Sequence, residues 1–321
     1  MTSRHRVCTS FCFLVTLIIT ITCKDMALKA TALAATSSHC RTFFITGATD
    51  GIGRHTAEKL ASDGHGLIIH GRRKETGMKL VKDLEKLGAS FVHYLNADLS
   101  DLDEVEALAQ QAQDLELPID VLINNAGVFD PEHRHSKQGY DTTWAVNVVA
   151  HFLLTRRLLP LIALSSSDDK RIITTSSISQ SGSVSDIDAL FEKQPSSYSA
   201  HKSYSQSKWG DLMLTAQFSK LFSSLPKSSP LSNIKCLTMD PGTVNTKMLL
   251  AGWGACGIPV KRANNTYKLA ATSYGKDAAN GSYHFGGRAS LDAKDDKKLN
   301  YLWEKLEEAT GCTYNDIDSI N

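Results

Sequence analysis

Residues 42–53 read TFFITGATDGIG, and this stretch decides the fold. Residues 42–46 form a short, apolar, β-rich run. Gly47, Gly51 and Gly53 interrupt it, and Ile52, Ala57, Leu60 and Ala61 then recur at helical spacing. A strand that turns through glycines into a helix leaves the helix N-terminus, with its unpaired N–H groups and positive dipole end, beside the strand's C-terminal edge. Gly47 permits the tight turn, while Gly51 and Gly53 let the backbone approach an anion such as a pyrophosphate.

The same alternation continues outward. Residues 67–70, 91–95, 121–123, 171–175 and 234–239 read as strands, and helical periodicity fills roughly 75–87, 102–115, 141–159 and 199–222. Strands of this length alternating with longer helices predict βαβ units. Near-continuous apolar runs such as FFIT, LII and VLI predict strands buried on both faces. The expected fold class is α/β: a Rossmann-type doubly wound parallel sheet in a single domain, preceded by an N-terminal hydrophobic targeting or anchor segment.

The 35 Lys and Arg against 34 Asp and Glu leave a net charge of +1, so no overall charge draws the chain to nucleic acid. Seven cysteines without a CxxC pair argue against a disulfide scaffold or a zinc ribbon. The charge is uneven, however. Arg4, Arg6, Lys24 and Lys29 outnumber Asp25 among residues 1–40, which carry +3, and the remainder carries −2.

Behind Arg4, His5 and Arg6, residues 11–23 are apolar apart from threonines, the layout of a secretory signal. Counted from Val7 the uncharged run reaches the lower edge of a spanning helix of roughly 20 residues. A signal cleaved near Ala30-Thr31-Ala32, a retained signal-anchor and a buried first helix all match. The acid-free residues 27–38 also match a plastid transit segment behind a signal. The expected domains are therefore 1–40 for targeting and 41–321 for the folded domain. The expected location is the membrane or lumen of the endoplasmic reticulum and secretory pathway, or else a plastid. Membrane association would run through residues 7–23 if they are retained.

The second strand ends in His70-Gly71-Arg72-Arg73, with no acid before Glu75. An acid there would bind a ribose 2′-hydroxyl, whereas arginine accommodates a 2′-phosphate. Arg72, together with Arg54 at the start of the first helix, therefore predicts NADP(H). Further on, Tyr204-Ser205-Gln206-Ser207-Lys208 places a phenol and an ammonium on one helical face. A neighbouring Lys⁺ lowers a phenol's pKa and makes it usable as a general acid or base. Tyr198 and Lys202 repeat the spacing six residues earlier. Six residues rotate a helix by about 600°, so the two pairs cannot serve one site, and spacing alone leaves the choice open.

In order along the chain stand TGATDGIG (46–53), Asp98-Leu99, NNAG (124–127), Asn147, Ser176-Ser177, YSQSK (204–208) and Pro241-Gly242. In this the chain resembles the short-chain dehydrogenase/reductase family over about residues 41–311. NVVAHFLLT (147–155) is similar to the N-x-x-G-H-F-L-L-T of its retinol-dehydrogenase-like branch, with Ala150 in place of Gly. Leu302-Trp303 and Thr310-Gly311 resemble that branch's ending.

The resemblance selects Tyr204 as the proton-exchanging residue. It implies that Lys208 lowers the tyrosine's pKa and holds the nicotinamide ribose. Ser177, rather than Ser176, would donate a hydrogen bond to the substrate oxygen, and Asn147 would anchor a water. Gly47, Gly51, Ile52 and Gly53 would hold the pyrophosphate, and Arg54 and Arg72 the 2′-phosphate. Asp98 and Leu99 would line the adenine, Asn125, Ala126 and Gly127 the adenosine ribose, and Pro241, Gly242, Val244 and Thr246 the nicotinamide carboxamide.

The implied activity is NADP(H)-dependent interconversion of an alcohol and an aldehyde or ketone on a lipophilic substrate, a retinoid, polyprenoid or similar. Residues 248–253 would form an apolar lid, or else pack on the core. No metal, no nucleic acid and a possible homodimer complete the expectation. The alternative is an NADPH-binding scaffold of the same fold without turnover. One departure is Trp209-Gly210-Asp211 where the family usually has Leu-Ala-Asn. It puts helix packing or a dimer face in doubt, with Gly210 costing about 1 kcal/mol inside a helix. Another is the polar insertion between Ser177 and Tyr204, with Asp186, Asp188 and Glu192. His133, His135 and His201 lack ligand spacing.

Overall fold

Several apolar runs end where polar motifs begin: TFFI stands before TGATDGIG, VLI before NNAG, and RIITT before Ser176-Ser177. The computed structural model describes residues 40–183, 186–191 and 198–320, and Arg41–Asn321 form one compact unit. The order is β1 (Thr42–Ile45), α1 (Gly51–Ser62), β2 (Gly66–Gly71), α2 (Lys74–Leu87), β3 (Phe91–Asn96), α3 (Leu102–Gln113) and β4 (Val121–Asn124). There follow α4 (Thr142–Ala163), β5 (Arg171–Thr175), α5 (Ile187–Phe191), α6 (Ala200–Ser224) and β6 (Lys235–Met239). The last part holds α7 (Lys247–Trp253), α8 (Asn265–Ala271), α9 (Ser273–Asp277), β7 (Tyr283–His284) and α10 (Asp296–Thr310).

The strands form one parallel sheet in the order β3-β2-β1-β4-β5-β6-β7. Alternate residues feed opposite cores, as a period of two requires. Phe44, Ile68, Leu122, Ile172 and Cys236 face α3, α4, α6 and α10. Phe43, Ile45, Leu67, Ile69, Ile123 and Leu237 face α1, α2 and α8. Strand order reverses between β1 and β4, and in such sheets ligands bind in the crevice outside the strand ends at this switch point.

The six expected strands all form, within a residue or two of their expected ends. The two-residue β7, which pairs through Thr238↔Tyr283 and Met239↔His284, is too short to leave a periodic signal. The long helix was expected to stop before Pro160 but continues to Ala163, with the proline inside its last turn.

The expected N-terminal hydrophobic segment requires correction. Among the described residues, the helix long and apolar enough to cross a membrane is internal: it is α4, Thr142–Ala163, and 83% of its apolar window is buried. Its apolarity follows from its place between the sheet, α3 and α6, with Trp144, Val148, Phe152 and Leu158 all in the core. The expected segment at 7–23 lies outside the described residues.

Candidate active site

Helix α6 carries the tyrosine and lysine one turn apart, and Ser199 caps its start by accepting from the Lys202 N–H. Lys208 is buried, and its Nζ lies 5.7 Å from the centre of the Tyr204 ring. The ammonium donates to the Thr175 carbonyl at the end of β5 and to Asp211 Oδ2, each at 2.8 Å. Ser177, just past β5, hydrogen-bonds the Tyr204 phenol. Ser176 Oγ points inward instead and donates to the Lys208 carbonyl at 2.6 Å.

Burial pushes the Tyr204 phenol above its ordinary pKa, Lys208 pulls it down, and Asp211 and Asp240 push it up. Burial also acts to neutralise Lys208, but the charges of Asp211 and Tyr204 outweigh it and raise its pKa. The enclosed Asp211 carboxyl is lifted by burial to about 7, against the pull of Lys208.

The other tyrosine–lysine pair is split. Tyr198 precedes α6, stacks on His133 with centroids 4.0 Å apart, and donates its hydroxyl hydrogen to the Asp130 carbonyl. Lys202 points away to Asp186, 3.1 Å distant.

On the other side of the crevice, Gly47 and Gly51 have φ of +65° and +54°, conformations that favour glycine. A Cβ on Gly53 would lie 2.4 Å from the Gly47 carbonyl oxygen and 2.5 Å from Asn125 Nδ2. The turn is therefore folded tightly onto α1 and the loop after β4. Thr46 Oγ1 accepts the N–H groups of Asn125 and Ala126, both at 2.9 Å, and Asn125 Nδ2 donates to the Thr46 carbonyl. A Cβ on Gly127 would stand 3.4 Å from Asn147 Oδ1 and 3.6 Å from Lys208 Nζ, so Gly127 borders both side chains.

Ile52 is partly exposed on the first turn of α1. Arg54 is held by Glu58, one turn along α1, at 2.8 Å and by Asp83 of α2 at 3.3 Å. Arg72 is more open, its nearest acid being Asp98 at 3.7 Å. Asp98 caps the Ser100 N–H, and Leu99 is buried. Pro241 and Gly242 follow β6, with Asp240 Oδ1 accepting from the Gly242 N–H. Val244 is buried, and Thr246 caps α7 and lies 3.2 Å from a Cβ built on Gly51. The nicotinamide and pyrophosphate segments expected from the resemblance thus meet across one gap.

Asn147 lies in a π-helical stretch of α4, Ala145–Val149. Its Oδ1 accepts from the Val128 N–H at 2.8 Å, and its Nδ2 donates to the Val128 carbonyl and to Ser207 Oγ. Its side-chain donors are thus taken by protein groups, and His151 Nδ1 bonds its main-chain carbonyl at 2.9 Å.

Thr46 and His151 stand inside quoted motifs and Asp211 inside the Trp209-Gly210-Asp211 departure, but the motifs assigned none of them a partner. The packing of β1, α4 and α6 sets them against Asn125, Asn147 and Lys208. Phe129, His201 and Trp253 gather around Tyr204, with the Trp253 ring 4.9 Å from Phe129, 5.0 Å from His201 and 5.4 Å from Tyr204. Helix α7, the segment expected either as an apolar lid or as core packing, brings Trp253 there, and Lys247 ties the same helix to Asp50 of the glycine turn at 2.5 Å.

A profile of the family described as short chain dehydrogenase matches residues 41–252. The chain is 31% identical over 217 residues to polyprenol dehydrogenase of Mus musculus, an alignment covering 66% of this chain and 63% of that protein. It is 29% identical over 289 residues to polyprenol dehydrogenase of Homo sapiens, covering 84% and 85%. Among solved structures, an uncharacterized protein from Mycobacterium paratuberculosis superimposes with a TM-score of 0.67 at 27% identity, over 86% of this chain and 95% of that one.

Proposed function

The chain belongs to the short chain dehydrogenase family, and on that premise we propose that it interconverts an alcohol and an aldehyde or ketone on a lipophilic substrate, a retinoid, polyprenoid or similar. The observation that carries this reading is the enclosure of a single tyrosine–lysine pair, Tyr204 and Lys208, with Ser177 at the phenol and the glycine turn across the crevice. Both relatives described above bear the name polyprenol dehydrogenase, which supports the lipophilic class. The apolar and aromatic groups of α7 beside Tyr204 support it too.

The cofactor is NADP(H). Its fit rests on a turn that no side chain could enter at Gly53, and on an arginine, not a carboxylate, directly after β2. When bound, it supplies or accepts the hydride. Gly47, Gly51, Ile52 and Gly53 would hold its pyrophosphate, and Arg72 would meet the 2′-phosphate. Arg54 joins Arg72 only by leaving Glu58 and Asp83.

In the reductive direction Tyr204 gives its phenolic proton to the substrate oxygen, and Ser177 donates a hydrogen bond to the same atom. The Lys208 ammonium stabilises the phenolate left behind. In the oxidative direction the phenolate takes the alcohol proton.

The test is a carbonyl panel (retinal, a polyprenal and an aromatic aldehyde) offered to the full chain with NADPH. Loss of NADPH in step with alcohol formation is expected. NADPH binding without reduction of any member would leave a scaffold of the same fold and defeat the proposal. Location in the secretory pathway or a plastid is a further proposal, checked by imaging a C-terminally tagged full chain against organelle markers.

A further inference from the structure

Trp209-Gly210-Asp211 stands where the family resemblance implies Leu-Ala-Asn, and the structure turns that departure towards the chemistry. Trp209 is fully buried and donates from Nε1 to Asp292 Oδ2 at 3.2 Å. Gly210 lets α6 press against Trp144, whose ring atoms lie 2.7 and 2.9 Å from where a Cβ would stand. With both neighbours fixed in this way, Asp211 points inward and is 1% exposed. Its Oδ2 binds Lys208 Nζ at 2.8 Å, while its Oδ1 has no hydrogen-bond partner. A buried carboxylate with one bare oxygen is a costly way to hold a lysine, because an amide offers the same acceptor without the charge.

We propose that Asp211 is a positioning residue acting through Lys208: it holds the ammonium between the Thr175 carbonyl and Tyr204, cancels part of its charge, and so keeps Tyr204 in the protonated form that carbonyl reduction uses. This rests on the reading of Tyr204 and Lys208 as the acid–base pair. The other groups facing them act as a fixed background. Asp240, from the end of β6, raises the phenol's pKa, and the Ser177 hydrogen bond, from the end of β5, lowers it. His151, from α4, is neutral, its pKa lowered by burial to about 3. On the side of α10, Asp292 and Lys298 pair with each other beside Trp209.

Asp211→Asn in the full chain is the test, since it keeps an acceptor for Lys208 and removes the charge. Tyrosinate absorbance of the free protein, with the titration of Tyr204→Phe subtracted, isolates one phenol. Its midpoint is expected to fall by about one pH unit in Asp211→Asn, a tenfold rise in phenolate fraction at fixed pH. The pH profile of alcohol oxidation should move the same way by the same amount. A midpoint that is unmoved or raised overturns the proposal. Asp211→Ser, which removes the charge with a smaller side chain, must shift the midpoint in the same direction and decides the matter if the Asn variant does not fold. A Tyr204→Phe variant that still turns over would defeat the acid–base reading itself. An inactive Tyr204→Phe beside an unshifted Asp211→Asn would defeat only the role of Asp211.

Discussion

Gly210→Ala tests the contact that aims Lys208 and Asp211 at the crevice. Helix propensity alone favours the change by about 1 kcal/mol, because glycine loses more backbone entropy in a helix. Packing opposes it. The new methyl would stand 2.7 Å from Trp144 Cζ3, 2.9 Å from its Cη2 and 3.0 Å from Val148 Cγ2. Trp144 is fully buried and set edge-on against Phe191 at 5.7 Å, so the indole has no free space to enter. Overpacking of this kind costs about 1–3 kcal/mol. Three contacts at or below 3 Å against enclosed atoms place this one near the upper end. The net expectation is destabilisation by about 2 kcal/mol, and a Tm lowered by roughly 3–4 °C for a domain of this size. Thermal unfolding of the full chain, followed by tryptophan fluorescence, reads it directly. Combining Gly210→Ala with Trp144→Leu should cost less than the sum of the two single changes, because the smaller side chain makes room for the methyl. A Gly210→Ala protein that melts at or above the wild-type temperature would refute the steric reasoning.

Tyr204→Phe should abolish turnover while NADPH affinity, read by fluorescence titration, stays within a few-fold. Tyr198→Phe should keep substantial activity and lose about 1 kcal/mol of stability with its bond to the Asp130 carbonyl; equal loss of activity in both would reverse the choice of tyrosine. Arg72→Asp should weaken NADPH binding far more than NADH binding, and equal effects on the two would remove the 2′-phosphate argument. Burial lowers the His70 pKa to about 4, against an unfolded value near 6.5. Between those pH values the unfolded chain binds a proton that the native chain does not, so stability falls as pH drops through the window. Urea midpoints measured from pH 7 to 4.5 should decline less steeply in His70→Asn than in the wild type, and parallel declines would exclude His70 as a contributor.

The strands were legible because parallel strands buried on both faces carry unbroken apolar runs, and FFI, LII and VLI leave little else to be read. The glycine turn was legible because its spacing follows directly from backbone geometry. Contacts between elements distant in sequence were not. The two tyrosine–lysine pairs look alike as text, and only the start of α6 at Ala200, which leaves Tyr198 outside the helix, separates them. Arg54 read as a cation free for a phosphate, yet Glu58 one turn on and Asp83 from α2 hold it. The helix of membrane-spanning composition was sought at the N-terminus, whereas among the described residues it is the core helix α4. A helix buried on nearly every side matches a lipid-facing one in composition. Asp211 seemed a matter of helix packing because the line of text does not show which way a buried carboxylate points.

The two halves of the crevice come from opposite sides of the topological switch, and apolar packing alone would leave their relative position loosely set. A run of buried hydrogen bonds joins them. The N–H groups of Asn125 and Ala126 donate to Thr46 Oγ1. Thr46 Oγ1 lies 3.2 Å from His151 Nε2, and His151 Nδ1 lies 2.9 Å from the Asn147 carbonyl. Asn147 Nδ2 donates to Ser207 Oγ, which donates to the Tyr204 carbonyl. A carbonyl cannot donate, so Nδ1 carries the ring hydrogen and Nε2 is an acceptor facing the threonine hydroxyl, whose one hydrogen it shares with the Ile123 carbonyl at 3.3 Å. That order holds only for a neutral imidazole, which burial enforces by keeping the His151 pKa near 3. The π-helical stretch at Ala145–Val149 sets Asn147 within reach of both Val128 and Ser207. The distance from the glycine turn to the tyrosine is thus fixed by polar groups that each have a partner. This is the geometric precision that hydride transfer between two bound molecules demands, since a small misplacement costs rate steeply.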